Sequence, residues 1–131
     1  MLPLVRLLAL LDPSGHPEAL STTPPVTEFL TAARSQGDKA VTTAEEAVRA
    51  LRVLRRYALI STDPHTPHRQ IRMHARAARA IRETTPTSQH PDLTTTIADA
   101  LIAIWPPTDL PRELARTLRT NATTLLQHAE K

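Results

Sequence analysis

LRRYALISTDPHTPHRQIRMHARAARAIRE, residues 54–83, holds two short apolar runs, a proline-rich turn between them and an alanine-rich run after them. YALIST and RQIRMH read as two short strands joined by DPHTPH, because Pro64 and Pro67 force a turn there. On that reading Leu59, Ile71 and Met73 supply an alternating buried side. ARAARAIRE then starts a helix, with His74 at its mouth.

Upstream, TTAEEAVRALRVLRRY carries the clearest helical signal of the chain. Thr42 with Glu45, or Thr43 with Glu46, has the spacing of a capping box. Ala44, Ala47, Val48, Leu51 and Leu54 recur on one face, while Arg49, Arg52 and Arg56 occupy another. Before it, PEALST and PPVTEFLTAAR form a broken helical region, since Pro24 and Pro25 suit only a helix start. SQGDKAV is expected as a loop. The opening run, MLPLVRLLALLD, predicts a first core helix over about Leu2 to Leu11. Arg6 interrupts it, no basic segment precedes it, and it is far too short to span a membrane, so a cytoplasmic protein is expected.

Downstream, TTPTSQHP reads as a loop. Leu93, Ile97, Leu101 and Ile104 mark a fifth helix ending at WPP, with Trp105 expected to plug the core between helices. From about Pro111 a last helix places Leu114, Leu118, Ala122, Leu125 and Leu126 on one face, a stripe that invites a partner. The resulting architecture is mainly α. A winged helix over residues 1–84, a three-helix core plus a two-stranded hairpin, is followed by an antiparallel helical extension over 85–131. Three helices bury a small core and the hairpin covers one side of it. The helix from Thr43 to Arg56 then takes the position that enters the major groove in DNA-reading members of this fold.

A chain of 131 residues suits about one domain with a modest core. Its apolar 40% is mostly Ala, Leu, Ile and Val; Phe29, Tyr57 and Trp105 are the only aromatics. With no Cys, disulfides, thiolate metal sites and Cys nucleophiles are excluded. Charge is uneven: nine of the 14 Arg fall between Arg49 and Arg82, where Asp63 is the single acid. Such a concentration calls for an anionic partner, either nucleic acid, nucleotide phosphate or an acidic protein surface. A solvated, Arg-rich surface reflecting the Arg, Ala, Pro and Thr bias of the chain is the plain alternative.

Leu54, Tyr57, Leu59 and Ile60, followed by Met73 and His74, resemble the winged-helix domain that follows the nucleotide-binding core in NB-ARC proteins, signal-transducing ATPases of many domains. In that family a YSLI-like run leads into the hairpin and an MHD or VHRLVQ motif ends it. DLTTTIADALIAIWP and LARTLRTNATTLLQHAEK are similar to the helices that join this domain to tetratricopeptide repeats in bacterial relatives, so the resemblance covers most of the chain. It implies that His74 contacts a phosphate of ADP bound to a neighbouring nucleotide-binding domain and helps hold the inactive state. An imidazole suits that task, being able to donate one directional hydrogen bond. Arg72 and Arg76 would add positive field. Ala75 stands where the plant-type motif has Asp, removing a capping or hydrogen-bonding partner.

No G-x-x-x-x-G-K-[ST] occurs, and Gly15 and Gly37 are the only glycines, so no phosphate-cradling loop is expected in this chain. ADP or ATP would be bound only in combination with a nucleotide-binding domain, and the chain is expected to be a piece or a freestanding descendant of such a protein rather than an enzyme. His65 and His68 lack further ligands at metal-site spacing and read as loop residues. Ser14, Ser21, Ser35, Ser61 and Ser88 fall in turn or cap contexts. Glu45 and Glu46 are explained by capping and the helix dipole.

Two further functions stay open at this point. One is a freestanding DNA- or RNA-binding winged helix, with Arg49, Arg52 and Arg56 on phosphates and Arg69, Arg72 and Arg76 adding to the basic patch. Against sequence-specific reading, the arginine face offers no Asn or Gln for adenine edges, and SQGDKAV is long for a helix-turn-helix. The other is a helical adaptor that self-associates through the last leucine stripe.

Overall fold

The computed structural model describes residues 2–34, 42–108 and 111–130; the expected loop over 35–41, with Ser35 and Gly37, lies outside them. The described residues are mainly helical, with a small antiparallel hairpin. In chain order they form α1 (Leu2–Leu8), a 3-10 turn (Glu18–Thr22), α2 (Pro24–Ala32) and α3 (Ala44–Arg56). Strands β1 (Ser61–Thr62) and β2 (Ile71–Arg72), α4 (Ala75–Thr84), a second 3-10 turn (Thr87–Gln89), α5 (His90–Ile104) and α6 (Arg112–Ala129) follow.

Local chemistry accounts for the ends of these elements. Thr43 caps α3 by accepting a hydrogen bond from the Glu46 N–H at 3.2 Å, so the second capping-box register is the one used. α1 stops at Leu8, but its end tightens rather than unravels. Leu10 N–H donates to the Leu7 carbonyl and Leu11 N–H to the Leu8 carbonyl, both at 3.1 Å, so Leu10 and Leu11 stay buried. Asp12 to Gly15 then reverse the chain, with Pro13 at the second turn position and the Gly15 N–H returning to the Asp12 carbonyl at 3.1 Å.

Two corrections concern the hairpin. Its strands are two residues each, pairing Ser61 with Arg72 and Thr62 with Ile71, not the six-residue runs expected. Tyr57 and Ala58 belong to the helix end instead. Ala58 takes the left-handed conformation (φ 61°), its N–H donates to the Arg55 carbonyl, and the Leu59 N–H reaches back to the Leu54 carbonyl at 3.0 Å. That is a Schellman end with alanine in the place usually held by glycine. The buried side of the hairpin accordingly comes from Ile60, Ile71 and Met73, while Leu59 is half-buried.

A third extended residue joins the hairpin. His16 pairs with Ile71 on the free edge of β2, through bonds of 3.0 and 3.1 Å between their backbone groups. Gly15 makes that approach possible: φ is +114°, and a Cβ there would lie 2.8 Å from the Arg69 carbonyl oxygen. The exit of α1 is thereby fastened to the hairpin.

α5 is packed against α1, α2, α6 and the first 3-10 turn. Its Leu93, Ile97, Ala100 and Leu101 join Leu118 and Leu125 of α6 in one apolar cluster with Leu4, Leu7, Leu20, Leu51, Leu54 and Ile71. The helices over 85–131 therefore share the core of the preceding residues. α5 begins at His90, inside the expected loop, and the second 3-10 turn, Thr87–Gln89, also lies within that stretch.

Four side chains outside the hairpin differ from expectation. Trp105 does not plug the core: Pro106 and Pro107 stop the helix, Trp105 is left extended (ψ 127°), and its side chain is 37% exposed. Leu126 is 62% exposed because it stands about 100° around the helix from buried Leu125. Ala44, in the first turn of α3, faces solvent, and Val48 is half-buried. Among the described residues no helix is long and apolar enough to cross a membrane.

Candidate functional site: His74 and the arginine faces

β2 and the residues after it alternate. Ile71 and Met73 point into the core, at 1% and 3% exposure, and His74 points out. At that point the chain enters α4, and His74 is its N-cap. Its Nδ1 accepts the Arg76 backbone N–H at 3.1 Å, while its carbonyl accepts the Ala78 N–H at 3.0 Å. A ring nitrogen that accepts carries no proton, so in the neutral ring Nε2 is the donor, on an exposed residue. The imidazole itself caps the helix.

α4 also breaks a local rule. Its first turn holds no acid and places Arg76 near the positive end of the helix dipole. Exposed Arg76, the helix N-terminus and the His74 Nε2–H together make a concentrated positive spot.

Arg72 does not join that spot through its contacts. Its guanidinium turns back along the hairpin, where Nε donates to the Arg69 carbonyl at 3.3 Å and Nη2 to Thr66 Oγ1 at 3.4 Å, with Asp63 at 3.9 Å. Arg69 is exposed beside it. His65 and His68 lie in the same turn, where Asp63 Oδ1 accepts the His65 N–H at 2.9 Å.

Arg49, Arg52 and Arg56 lie exposed within one face of α3, opposite buried Ala47, Leu51 and Leu54. Arg49 has only a loose pairing with Glu45 at 3.8 Å, both largely in water and weak for that reason. Tyr57, 73% exposed, extends the face at its C-terminal end. In the chain, Arg69 and Arg72 belong to the hairpin and Arg76 to the start of α4, while Arg49, Arg52 and Arg56 belong to α3.

Other polar features carry no local signal. Asp12, Asn121 and Thr124 form a network spanning most of the chain. The Asp12 carboxylate accepts from Thr124 Oγ1 at 2.6 Å and from the Ser14 N–H at 2.9 Å. Burial acts to raise its pKa, but these bonds and nearby His128 outweigh it and hold it below the usual value. His16 is fully enclosed with neither ring nitrogen hydrogen-bonded, and burial pushes its pKa down to about 3. Ser21, expected in a turn, lies in the first 3-10 turn with a buried, unpartnered hydroxyl. Such placements depend on contacts distant in sequence, and no spacing in the chain announces them.

No family model, curated protein or solved structure matches the chain.

Proposed function

We propose that this chain is a non-catalytic, winged-helix regulatory module of an NB-ARC-type nucleotide switch. The observation that carries the reading is His74, exposed as the N-cap of α4 with Nδ1 engaged and Nε2 available to donate beside Arg76. The winged-helix part draws support from the order of α1, α2, α3 and hairpin, and from His16, whose pairing with Ile71 ties the hairpin to the exit of α1.

In the switch, the module docks on a nucleotide-binding core and on helical repeats. His74 donates to an ADP phosphate, and the arginine face of α3 meets an acidic surface. ADP supplies the differential contact that such a two-state device needs, because replacing it changes what His74 touches. Joined to a nucleotide-binding core of that family, His74→Ala is expected to speed ADP release. Release at the unaltered rate would remove His74 from the mechanism.

A freestanding nucleic-acid binder is the second reading, favoured by the solvent-facing arginines of α3 with exposed Tyr57 at their end. Without Asn or Gln on that face, it would hold phosphates without reading bases. The adaptor reading loses its intended surface, because Leu118 and Leu125 are buried within the chain itself.

A further inference from the structure

Between α1, the second half of α4, the start of α5 and the end of α6 lies an open cleft of about 970 Å³. That volume suits a small organic ligand. Among the described residues its wall carries Arg6, Arg79 and Arg82 against a single carboxylate, Glu83, with Leu10 and Leu93 adding apolar surface.

The guanidiniums are positioned by the fold. Arg82 Nη1 donates to the Ala9 carbonyl at 2.7 Å, Arg6 Nη1 to Gln89 Oε1 at 2.9 Å and Arg79 Nε to Glu83 Oε1 at 2.9 Å. Each keeps further N–H donors for a ligand. Arg82 is held below its ordinary pKa, first by burial and then by the neighbouring Arg79, with Glu83 opposing. Like charges crowded in a partly dry wall cost free energy that an incoming anion relieves. α5 starts in the same wall, but the His90 N–H donates to the Thr87 carbonyl and Pro91 has none, so the arginines are the donors there. Gln89, at the capping position, accepts at Oε1 from Arg6 Nη1 instead of capping.

We propose that this cleft binds a small organic phosphate, its phosphoryl group between Arg79 and Arg82 and its organic body against Leu10 and Leu93. The site is separate from His74, which caps the opposite end of α4, and it does not depend on the switch reading. Arg–phosphate pairing is charge-assisted and directional, so the arginines supply affinity and the apolar wall supplies preference for an organic body.

Phenyl phosphate titrated calorimetrically into the full chain at about 150 mM salt tests this, since general surface attraction is largely screened there. Saturable binding is expected, weakened at least about tenfold by Arg79→Gln and unchanged by Arg49→Gln, a loss of one charge-assisted contact. The Arg79 side chain is largely exposed and pairs with Glu83, so that variant should fold; far-ultraviolet circular dichroism checks it. Arg82→Gln, which also gives up the bond to Ala9, is the second variant. Absence of saturable binding, or equal binding by wild type and both cleft variants, overturns the site. Equal weakening by Arg79→Gln and Arg49→Gln would reduce it to net charge and overturn it as well. Inorganic phosphate binding as tightly as phenyl phosphate would overturn the organic body's share.

Discussion

Asn121 on α6 donates a 3.0 Å hydrogen bond from Nδ2 to the carbonyl oxygen of Gly15, 106 positions earlier in the chain. Its Oδ1 accepts the Asp12 backbone N–H at 2.8 Å, and the same Nδ2 also donates to the Thr117 carbonyl at 2.9 Å. A fully buried amide thus satisfies a turn that has no regular partner of its own.

Truncating that amide should be costly. Asn121→Ala leaves the Asp12 N–H and Gly15 carbonyl without their partner, and each orphaned buried group costs about 1–3 kcal/mol. A loss of about 2–4 kcal/mol is expected in urea unfolding. Thr124→Val, which gives up only the bond to Asp12, should cost less. Equal, small effects for both would show that the turn holds itself.

Two glycine exchanges should act in opposite directions. Gly15→Ala forces a side chain onto φ +114° and into the Arg69 backbone, so destabilisation by about 1–3 kcal/mol is expected. Faster hydrogen exchange at the Ile71 N–H, which donates to the His16 carbonyl, would locate the damage. Ala58→Gly relieves a left-handed alanine and should stabilise by up to about 1 kcal/mol. Destabilisation by Ala58→Gly would mean that its methyl group contributes packing.

Buried His16 sets a pH dependence. Its folded pKa, about 3, lies below the ordinary 6.5, so the unfolded chain takes up a proton first as pH falls. The stability is fully present above about pH 6.5 and is lost progressively as pH drops toward 3. Between pH 8 and pH 5 the loss from this one group is about 2 kcal/mol. His16→Leu keeps the backbone pairing with Ile71 and should flatten the profile across that interval. The Asp12 carboxylate contributes only lower down, because its depressed pKa makes stability fall below about pH 4. An unchanged slope in His16→Leu would assign the pH effect elsewhere.

Salt tests whether nucleic acid is held by phosphate contacts, and substitution tests whether the arginine face of α3 makes them. A labelled random duplex and a single-stranded oligonucleotide, followed by anisotropy at about 50 and 200 mM salt, should bind weakly and release at the higher concentration. Changing Arg49, Arg52 and Arg56 to Ala should abolish the low-salt binding. Tight association that survives the higher salt and depends on these three residues would move the function to nucleic acid. Binding indifferent to the triple change would exclude the α3 face.

Much of the helical layout was legible because its causes are local. The Thr43 cap, the 3.6-residue spacing of Ala47, Leu51 and Leu54, and the proline breaks act between residues a few positions apart. His74 could be placed at a helix mouth for the same reason. Its use of Nδ1 as the cap could not, since that depends on the backbone direction at Arg76. The YALIST misreading is also instructive. β-branched and aromatic composition favours a strand, but the bond from the Leu59 N–H to the Leu54 carbonyl closes the helix over Tyr57 and Ala58 first.

From its own pattern the chain settles most of its helical segments, the cap of α3 and which faces carry arginine, because hydrogen bonding along a helix and the period of its side chains are short-range. Packing alone decides that His16 is enclosed, that Asn121 holds the Asp12–Gly15 turn and that Arg82 reaches Ala9. Those outcomes depend on contacts made after the chain has folded back on itself, between residues up to 112 positions apart. The loop-closure entropy of such contacts is offset only when the shared apolar core forms around α5.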